Sequence, residues 1–287
     1  MRLDQVIPRR VAGLSRRKAR AVIDLGGVFV DRARTKVAGR PVRAGQWVEV
    51  VIGGALDRAD EASPEFDIVH VDDHVIVVNK PPGLVTAPTP ESDRGDLLDL
   101  LSRQFGTVFL VHRLDRLTSG LLVFARTRQA NKFLGDAFKD HDVDREYRAV
   151  AIGDVGAQTI DRPIKGRYAV THIAPIAPLF AGDFMRQSPA SAVGANDKRA
   201  VVATFISARL ETGRTHQIRI HLAGQGHPIA GDRVHGGEVE RRFMPRPPRL
   251  MLHAAVLGFS HPATLARVRW HIEPDWGTWF VRSDTNG

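Results

Sequence analysis

The sequence predicts an α+β protein in two unequal parts: a small α/β module at the N-terminus and a larger domain with a mostly antiparallel mixed sheet flanked by helices. Many short apolar runs, interspersed with a few helical segments, indicate the sheet. The 287 residues suffice for one large domain plus a small one. The charge is uneven, since residues 1–50 hold 12 basic and 4 acidic side chains, or +8 of the net +9.

The composition excludes several classes of protein. At 43% hydrophobic and 25% charged residues the chain is typical of a soluble globular protein. No stretch approaches the roughly 18 apolar residues that cross a bilayer, and the N-terminus lacks the pattern of a signal peptide. The absence of cysteine excludes disulfides, thiolate metal sites and a cysteine nucleophile. We therefore expect a cytoplasmic protein with no membrane partner and no metal, and a monomer.

The N-terminal module, residues 1–52, begins with helical and strand signals. Ser15 is a suitable cap for a helix over residues 16–24, and Gly26 is suited to end it. Residues 28–30 and 47–51 are typical of short strands. Basic residues crowd the helix, and a basic module of this size favours a polyanion partner, because each phosphate contact releases condensed counterions. The candidate residues for contact with this polyanion are Arg16, Arg17, Lys18 and Arg20.

A polar linker over residues 53–65 leads into the larger domain, residues 66–282. Helices are predicted over residues 97–105 and 128–140. The strands predicted with most support cover residues 120–125, 145–151 and 200–210. Three prolines and several small residues favour a long loop over residues 173–198.

Asp115 is the first candidate for chemistry. It lies between Arg113 and Arg116, in a polar loop that leads directly into an apolar strand, where functional side chains are often held. A carboxylate there can act as a nucleophile or a base. The alternative is an aspartate that caps a turn or pairs with a neighbouring arginine.

A second polar segment, residues 212–222, is rich in hydrogen-bond donors. Thr215 could cap a helix that ends near Gly224, although the alternation of apolar residues also permits a strand. One interpretation makes the segment a buried structural element. The other places Arg214 against Asp115 as its charge partner.

Residues 2–52 resemble an S4 domain, a small RNA-binding module. The segments that carry the resemblance are residues 15–19, 26–30 and 43–48. The larger domain resembles the RluA family of pseudouridine synthases, with matches in the family's order from about residue 66 to 262. The matching segments are residues 72–84, 112–120, 145–149, 212–219, 227–232 and 252–254.

The resemblance implies an RNA-modifying enzyme that isomerises uridine to pseudouridine. Asp115 would be the catalytic aspartate, attacking the flipped uridine or assisting glycosidic cleavage. Tyr147 would lie against the base, and Arg214 would orient Asp115 through an ion pair. Arg113 would occupy the space that the flipped base leaves, and Ile220 would line the pocket. The residues implied in substrate binding are His112, Arg113, Thr118 and Ile220.

No cofactor is expected, because the reaction involves neither redox chemistry nor an external group donor. The target base must leave the stack, at a cost of a few kcal/mol that backbone contacts offset. The S4-like module points to ribosomal RNA, especially of the large subunit, with transfer RNA as the alternative partner. The choice of these RNA classes rests on analogy with the family.

Two further functions compete. A non-catalytic RNA-binding or ribosome-assembly protein is disfavoured, because Asp115, Tyr147 and Arg214 are all present. A metal-dependent hydrolase is disfavoured, because the spacing of His216 and His221 is one residue too long for a helical zinc pair.

The sequence departs from the family pattern at two places. Leu117 stands where a polar or acidic residue is frequent, which we expect to alter the packing of the loop. Residues 168–196 form a longer and more apolar stretch than we expect for the family, and could reshape the surface that faces RNA.

Overall fold

The computed structural model of the protein describes two compact units. The described residues are 1–11, 14–24, 26–31, 33–50, 65–88, 95–180, 183–184, 201–244, 246–276 and 279. Met1–Glu65 and Ala87–Arg103 form the first unit, and Phe66–Thr86 and Gln104–Gly287 form the second. The sequence analysis instead places Ala87–Arg103 in the second domain, residues 66–282. The predicted bounds of the two domains stay a prediction. None of the described helices is both long and apolar enough to span a bilayer.

Two helices and a three-stranded antiparallel sheet make up the N-terminal part of the first unit. Ser15 caps the second helix, since its hydroxyl oxygen accepts a hydrogen bond from the Lys18 N–H at 3.2 Å. Gly26 follows at φ 79°, a left-handed conformation that glycine adopts without steric cost, so both predicted helix ends are confirmed. The elements are α1 Leu3–Arg10, α2 Arg16–Asp24, β1 Val28–Val30, β2 Ala33–Arg34 and β3 Val48–Val50, in the sheet order β2-β1-β3. Their shared core is Leu3, Ile7, Leu14, Ala19, Ile23, Val28 and Val30.

The second unit is built on a ten-stranded mixed sheet. Its strands are β4 Asp67–Val71, β5 Val75–Lys80, β6 Phe109–Leu110, β7 Ser119–Ala125, β8 Asp144–Ile152, β9 Gln158–Asp161, β10 Val170–Phe180, β11 Val201–Leu210, β12 Leu252–Ser260 and β13 Arg267–His271. The sheet order is β4-β5-β7-β12-β8-β11-β10-β9, with β6 beside β7 and β13 beside β12. Helix α3 Leu97–Phe105 lies mostly in the first unit, and the helices of the second unit are α4 Arg128–Lys139, α5 Gln217–Gly224 and α6 Gly237–Arg242. The predicted α+β class, with a mostly antiparallel sheet, is confirmed.

The two strands at the centre of this sheet are parallel. His253 and Ala254 of β12 pair with Ser119 and Gly120 of β7, while the other described pairs are antiparallel. Gly120 has φ 113°, and an added Cβ atom would overlap the Ala254 carbonyl oxygen. Glycine therefore permits the close approach of the strands at the point where the Asp115 loop enters β7.

The predicted loop over residues 173–198 is wrong in its first part. Pro175 and Pro178 lie inside β10, which pairs with β11 along its length and shows a register shift after Pro175. The neighbouring strand β9 pairs only as far as Ile173, so beyond that residue no described strand pairs with this side of β10. Proline is tolerated on such an edge, because no ladder hydrogen bond is lost there. Residues 185–198 lie outside the described residues, so the rest of the stretch over 168–196 stays a prediction.

Candidate active site

Asp115 lies on the loop between β6 and β7, and its side chain is 26% exposed. Hydrogen bonds hold the loop backbone on both sides of it. The Thr86 hydroxyl donates to the Leu114 carbonyl oxygen at 2.9 Å, and the Thr118 N–H donates to the Asp115 carbonyl oxygen at 3.0 Å. The carboxylate is therefore accessible, while the backbone that carries it is fixed.

The buried side chain of Lys80 also holds the loop that carries Asp115. Its side chain is fully buried, and its ammonium donates to the carbonyl oxygens of Pro81 and Leu84 at 2.9 Å and of Arg116 at 3.3 Å. Burial lowers the pKa of Lys80 to about 7, against the opposing charge of Asp115. The three carbonyl acceptors favour the ammonium form, because each oxygen interacts with a positive donor.

Helix α5 brings the next groups to Asp115, and the helical alternative for this segment is confirmed. His216 precedes the helix in a left-handed conformation, φ 57° and ψ 25°, and no side chain caps the helix. The predicted Thr215 cap is therefore wrong. The Gln217 side-chain oxygen instead accepts the Arg214 N–H at 3.0 Å. A non-glycine residue in this conformation costs about 1–3 kcal/mol and is enriched at functional sites.

Arg219 is the arginine that contacts Asp115. It is 3% exposed, with Nη1 3.4 Å from Asp115 Oδ2. Its Nε and Nη2 donate to the two carboxylate oxygens of Asp232 at 2.7 and 2.8 Å, a bidentate pair. Burial opposes the charge on Arg219, but the Asp232 and Asp115 carboxylates outweigh it and raise the pKa of Arg219. Burial likewise works to raise the pKa of Asp232, but hydrogen bonds from Arg219 lower it.

The predicted ion pair between Arg214 and Asp115 is not present in this geometry, where Arg219 takes that place. Arg214 donates through Nε to the Tyr168 carbonyl oxygen at 3.0 Å. It precedes α5, whereas Arg219 lies on the helix, three residues after His216 and on the same face.

Tyr147 lies within electrostatic range of Asp115, and its predicted place against the base stays a prediction. It lies on β8, pairs with Ala254 of β12 and Ala208 of β11, and is 9% exposed. Burial raises the pKa of Tyr147, and the negative charge of Asp115 adds to this effect while Arg145 opposes it. The phenol is therefore in its neutral, donating form at neutral pH.

His112 occupies a supporting position. Its Nε2 accepts the Val123 N–H at 3.2 Å, and its ring stacks on Phe138 at 4.3 Å. Burial, reinforced by the charge of Arg145, lowers the pKa of His112 to about 3. The ring is therefore neutral, and its Nε2 already accepts a hydrogen bond. The predicted contact of His112 with substrate stays a prediction.

The other predicted substrate residues differ in accessibility. Arg113 is exposed, two residues before Asp115. Thr118 is 2% exposed, and its hydroxyl oxygen has no hydrogen-bond partner among the described residues. Ile220 is half-buried on α5, next to Arg219. Leu117 is 38% exposed, so the apolar residue at this place in the loop does not contribute to the core.

Two histidines of the polar segment have different environments. His216 Nε2 is 3.6 Å from Asp115 Oδ2, and its Nδ1 is 2.8 Å from His235 Nε2. His221 has both ring nitrogens engaged, with the Thr171 hydroxyl and the Arg162 carbonyl oxygen at 2.9 Å each. Within the part of the chain that the structure describes, no group of three or more potential ligands is placed to hold a metal ion.

Comparison with known proteins decides the family. Residues 74–224 match the family model described as RNA pseudouridylate synthase, and residues 1–48 match the S4 domain. The chain belongs to the RNA pseudouridylate synthase family. It is thus an enzyme that isomerises uridine in RNA, and its N-terminal module is an S4 domain, as predicted.

Curated relatives cover nearly the whole chain. Ribosomal large subunit pseudouridine synthase D of Vibrio parahaemolyticus is 34% identical over 295 residues, and that of Yersinia pestis is 31% identical over 302 residues. Each match covers 94% of this chain and 86% of the relative. Among solved structures, Human RNA Pseudouridylate Synthase Domain Containing 1 has a TM-score of 0.59 at 22% identity, covering 75% of this chain and 86% of that chain. This last likeness concerns the fold.

Several residues of the cluster around Asp115 were missed by sequence reasoning. Thr86 and Lys80 act through backbone contacts, and Asp232 and His235 lie far from Asp115 along the chain. Asp232 ends one of the segments that resemble the family, which is the signal that could have indicated it. His235 carries no such signal.

The S4 domain has its own cluster of charges around Asp4. The Asp4 carboxylate is fully buried and accepts hydrogen bonds from Arg2 at 3.2 Å, Arg16 at 3.1 Å and Arg20 at 2.8 Å. Burial works to raise the pKa of Asp4, but the hydrogen bonds from these arginines lower it. Arg16 and Arg20, predicted to bind RNA, are thus held by Asp4 while about half exposed.

The other two predicted RNA-binding residues have no such anchor. Arg17 and Lys18 are exposed on α2 and make no ion pair within the described part of the chain. The basic face therefore combines fixed guanidinium groups with free cations.

Proposed function

We propose that this synthase converts uridine to pseudouridine in large-subunit ribosomal RNA and that Asp115 is its catalytic residue. The observation that carries the proposal is an accessible carboxylate on a pinned loop, 3.4 Å from a buried arginine that Asp232 holds in a bidentate pair. The relatives from Vibrio parahaemolyticus and Yersinia pestis are named for the large ribosomal subunit, which supports this RNA as the target.

The chemistry requires a group that can act at the base or at the sugar. The C1′–N1 bond of uridine breaks, the uracil turns, and a C1′–C5 bond forms. N1 then gains a proton and C5 loses one. Asp115 can form a bond to the sugar or the base, or take up a proton, and each role requires an ionised carboxylate held in place. Arg219 holds it, and buried Asp232 prevents Arg219 from turning away.

Tyr147 and Ile220 would bound the space in which the uracil turns. The buried phenol of Tyr147 offers a flat ring and a hydroxyl that stays protonated, because burial raises its pKa. Such a group can stack on the base and donate a hydrogen bond to a carbonyl of uracil. Ile220 contributes an apolar wall next to Arg219.

Arg113 would stabilise the RNA after the uridine leaves its helix. Extruding a nucleotide costs a few kcal/mol in lost stacking and pairing. The exposed guanidinium of Arg113, two residues from Asp115, can stack where the base was and contact the flanking phosphates. The basic face of the S4 domain adds sequence-independent backbone contacts.

The test uses unmodified transcripts of large-subunit rRNA, small-subunit rRNA and tRNA, each incubated with the protein and mapped for new pseudouridine. We expect pseudouridine in the large-subunit transcript and none with Asp115→Asn. Asp142→Asn is the matched control, since Asp142 is 63% exposed and pairs with Arg267 at 3.0 Å. Modification of tRNA alone would show that the proposed target is wrong. Full activity of Asp115→Asn would remove Asp115 from the mechanism.

A further inference from the structure

Beside Asp115 lies a pair of histidines that the chemistry above does not use. His216 faces the carboxylate through Nε2 at 3.6 Å, and its Nδ1 is 2.8 Å from His235 Nε2. Their rings are perpendicular, with centroids 5.0 Å apart. His235 is partly exposed, and its other ring nitrogen makes no hydrogen bond to a described residue. The two hydrogen-bonded rings thus lead from the carboxylate of Asp115, which lies just beyond hydrogen-bond length of His216, to the partly exposed ring of His235.

The distance between the rings determines how many protons they share. A nitrogen–nitrogen contact of 2.8 Å needs one N–H and one lone pair. The negative charge of Asp115 favours the tautomer in which His216 Nε2 carries its proton towards the carboxylate. His235 Nε2 then donates to His216 Nδ1.

The backbone that carries each histidine is constrained. His216 has φ 57°, a conformation rarely adopted by residues other than glycine. The backbone N–H of His235 donates to Asp232 Oδ1 at 3.0 Å, and Asp232 is the partner of Arg219. The carboxylate, the arginine and both histidines therefore form one connected group.

The charged groups that face His235 are Asp232, Arg219 and Asp115, together with His216. Burial lowers the pKa of His235, the two carboxylates raise it, and Arg219 and His216 lower it, with a net decrease. The ring is therefore neutral at neutral pH. A second proton on the pair would set two N–H groups against each other and break the contact.

We propose that His216 and His235 relay protons between Asp115 and solvent during the isomerisation. This role rests on the proposed function of Asp115. In the inward step His216 passes its Nε2 proton to Asp115, takes the Nε2 proton of His235 at Nδ1, and His235 Nδ1 takes a proton from water. Asp115 delivers its proton to N1, which kept the electron pair of the C1′–N1 bond.

The outward step returns the relay to its starting state. Asp115 takes the proton from C5, and the electron pair of that C–H bond restores the C5–C6 double bond. The proton passes to His216 Nε2, the His216 Nδ1 proton passes to His235 Nε2, and the His235 Nδ1 proton leaves to water. One proton enters and one leaves in each cycle, so the isomerisation is balanced.

The test measures release of tritium from RNA that carries labelled uridine at C5, with His235→Gln and His235→Ala. Glutamine keeps an N–H donor for His216 but does not relay a proton. We expect kcat to fall about 10²-fold in both variants, with KM within about two-fold of wild type. Free imidazole should restore part of kcat in His235→Ala. The pH at which kcat falls on the acid side should differ from that of wild type in both variants.

His271→Gln is the matched control, since that histidine is exposed and pairs with Glu273 at 2.7 Å. Wild-type kcat in both His235 variants overturns the relay and leaves the role of Asp115 intact. Wild-type kcat in His235→Gln, with a loss in His235→Ala that imidazole does not restore, reduces His235 to a support for His216 and also overturns the relay. No tritium release by the wild type from any RNA overturns the proposed function and the relay with it.

Discussion

The clusters around Asp4 and Asp115 use the same residue types in opposite arrangements. In the S4 domain the carboxylate of Asp4 is fully buried, and the arginines that bind it are about half exposed. In the catalytic unit Arg219 is the buried member at 3% exposure, and Asp115 is 26% exposed. In the S4 domain the exposed members are positive arginines, which suit the phosphates of RNA. In the catalytic unit the exposed member is the carboxylate of Asp115, which suits its proposed action on uridine.

The difference shows how burial assigns a role within an ion pair. A buried carboxylate cannot touch RNA, but it fixes several guanidinium groups that can. A buried arginine held by Asp232 cannot reach a substrate, but it fixes a carboxylate that can. Because charges are costly to bury unpaired, each buried member depends on its partners, and each cluster should fail when that member is removed.

The largest effect is expected at the exposed carboxylate itself. Asp115→Asn keeps the shape of the side chain but removes the carboxylate that we propose attacks or exchanges protons, so turnover should fall on the order of 10⁴-fold. RNA affinity should stay within about two-fold, because asparagine removes no phosphate contact. Tritium release measures the first quantity and filter binding the second. Equal losses in both would mean that Asp115 binds RNA rather than acts on it.

Next in size is the replacement of the buried arginine. Arg219→Lys cannot keep both hydrogen bonds to Asp232 and also reach Asp115, so kcat should fall about 10²-fold through misplacement of the carboxylate. Arg219→Met leaves the buried Asp232 carboxylate without its charged partner and should lower the free energy of unfolding by about 3–5 kcal/mol. Single-turnover kinetics and urea denaturation measure these effects.

Arg214→Lys is the matched control for Arg219→Lys. Arg214 contacts a backbone carbonyl and not Asp115, so its replacement should leave kcat within about three-fold of wild type. The reverse ranking of the two lysine variants would return the ion-pair role to Arg214.

A smaller effect separates the two kinds of cation on the S4 domain. Arg17→Gln with Lys18→Gln removes free charges and should reduce the slope of log affinity against log salt by about 1–2. Arg16→Gln with Arg20→Gln removes charges that Asp4 already compensates in part, so the slope should change less and the melting temperature more. Binding to rRNA fragments over a series of salt concentrations measures the slopes. Equal slopes would show that Asp4 does not determine which cations meet RNA.

The smallest effect concerns pH. Because the pKa of Asp4 is lowered in the folded protein, its ion pairs stabilise the fold above the unfolded pKa of roughly 3.9. This contribution is lost as the pH falls through the lower folded value. The difference in urea midpoint between wild type and Asp4→Asn should therefore be full at pH 6 and shrink below about pH 4. A difference that stays constant to pH 3 would mean that the buried carboxylate contributes through packing alone.

Local pattern was enough to predict most of the elements. The ends of α2, the extents of α4 and β8, and the loop that carries Asp115 follow from capping residues, periodicity and apolar runs. The prediction failed at β10, where prolines indicate a loop unless the pairing of β10 with β9 is known to stop at Ile173. It failed again at the start of α5, where Gln217 rather than Thr215 organises the first turn.

By itself, the sequence determined the α+β class, the basic N-terminal module, the family resemblance and the nominations of Asp115 and Tyr147. Only the tertiary structure decided which arginine meets Asp115, that Asp232 locks it, and that Asp4 is buried among arginines. The physical reason is one of distance along the chain. Helix and strand signals are local, whereas an ion pair is set by sheet register and helix packing between residues that are far apart in sequence.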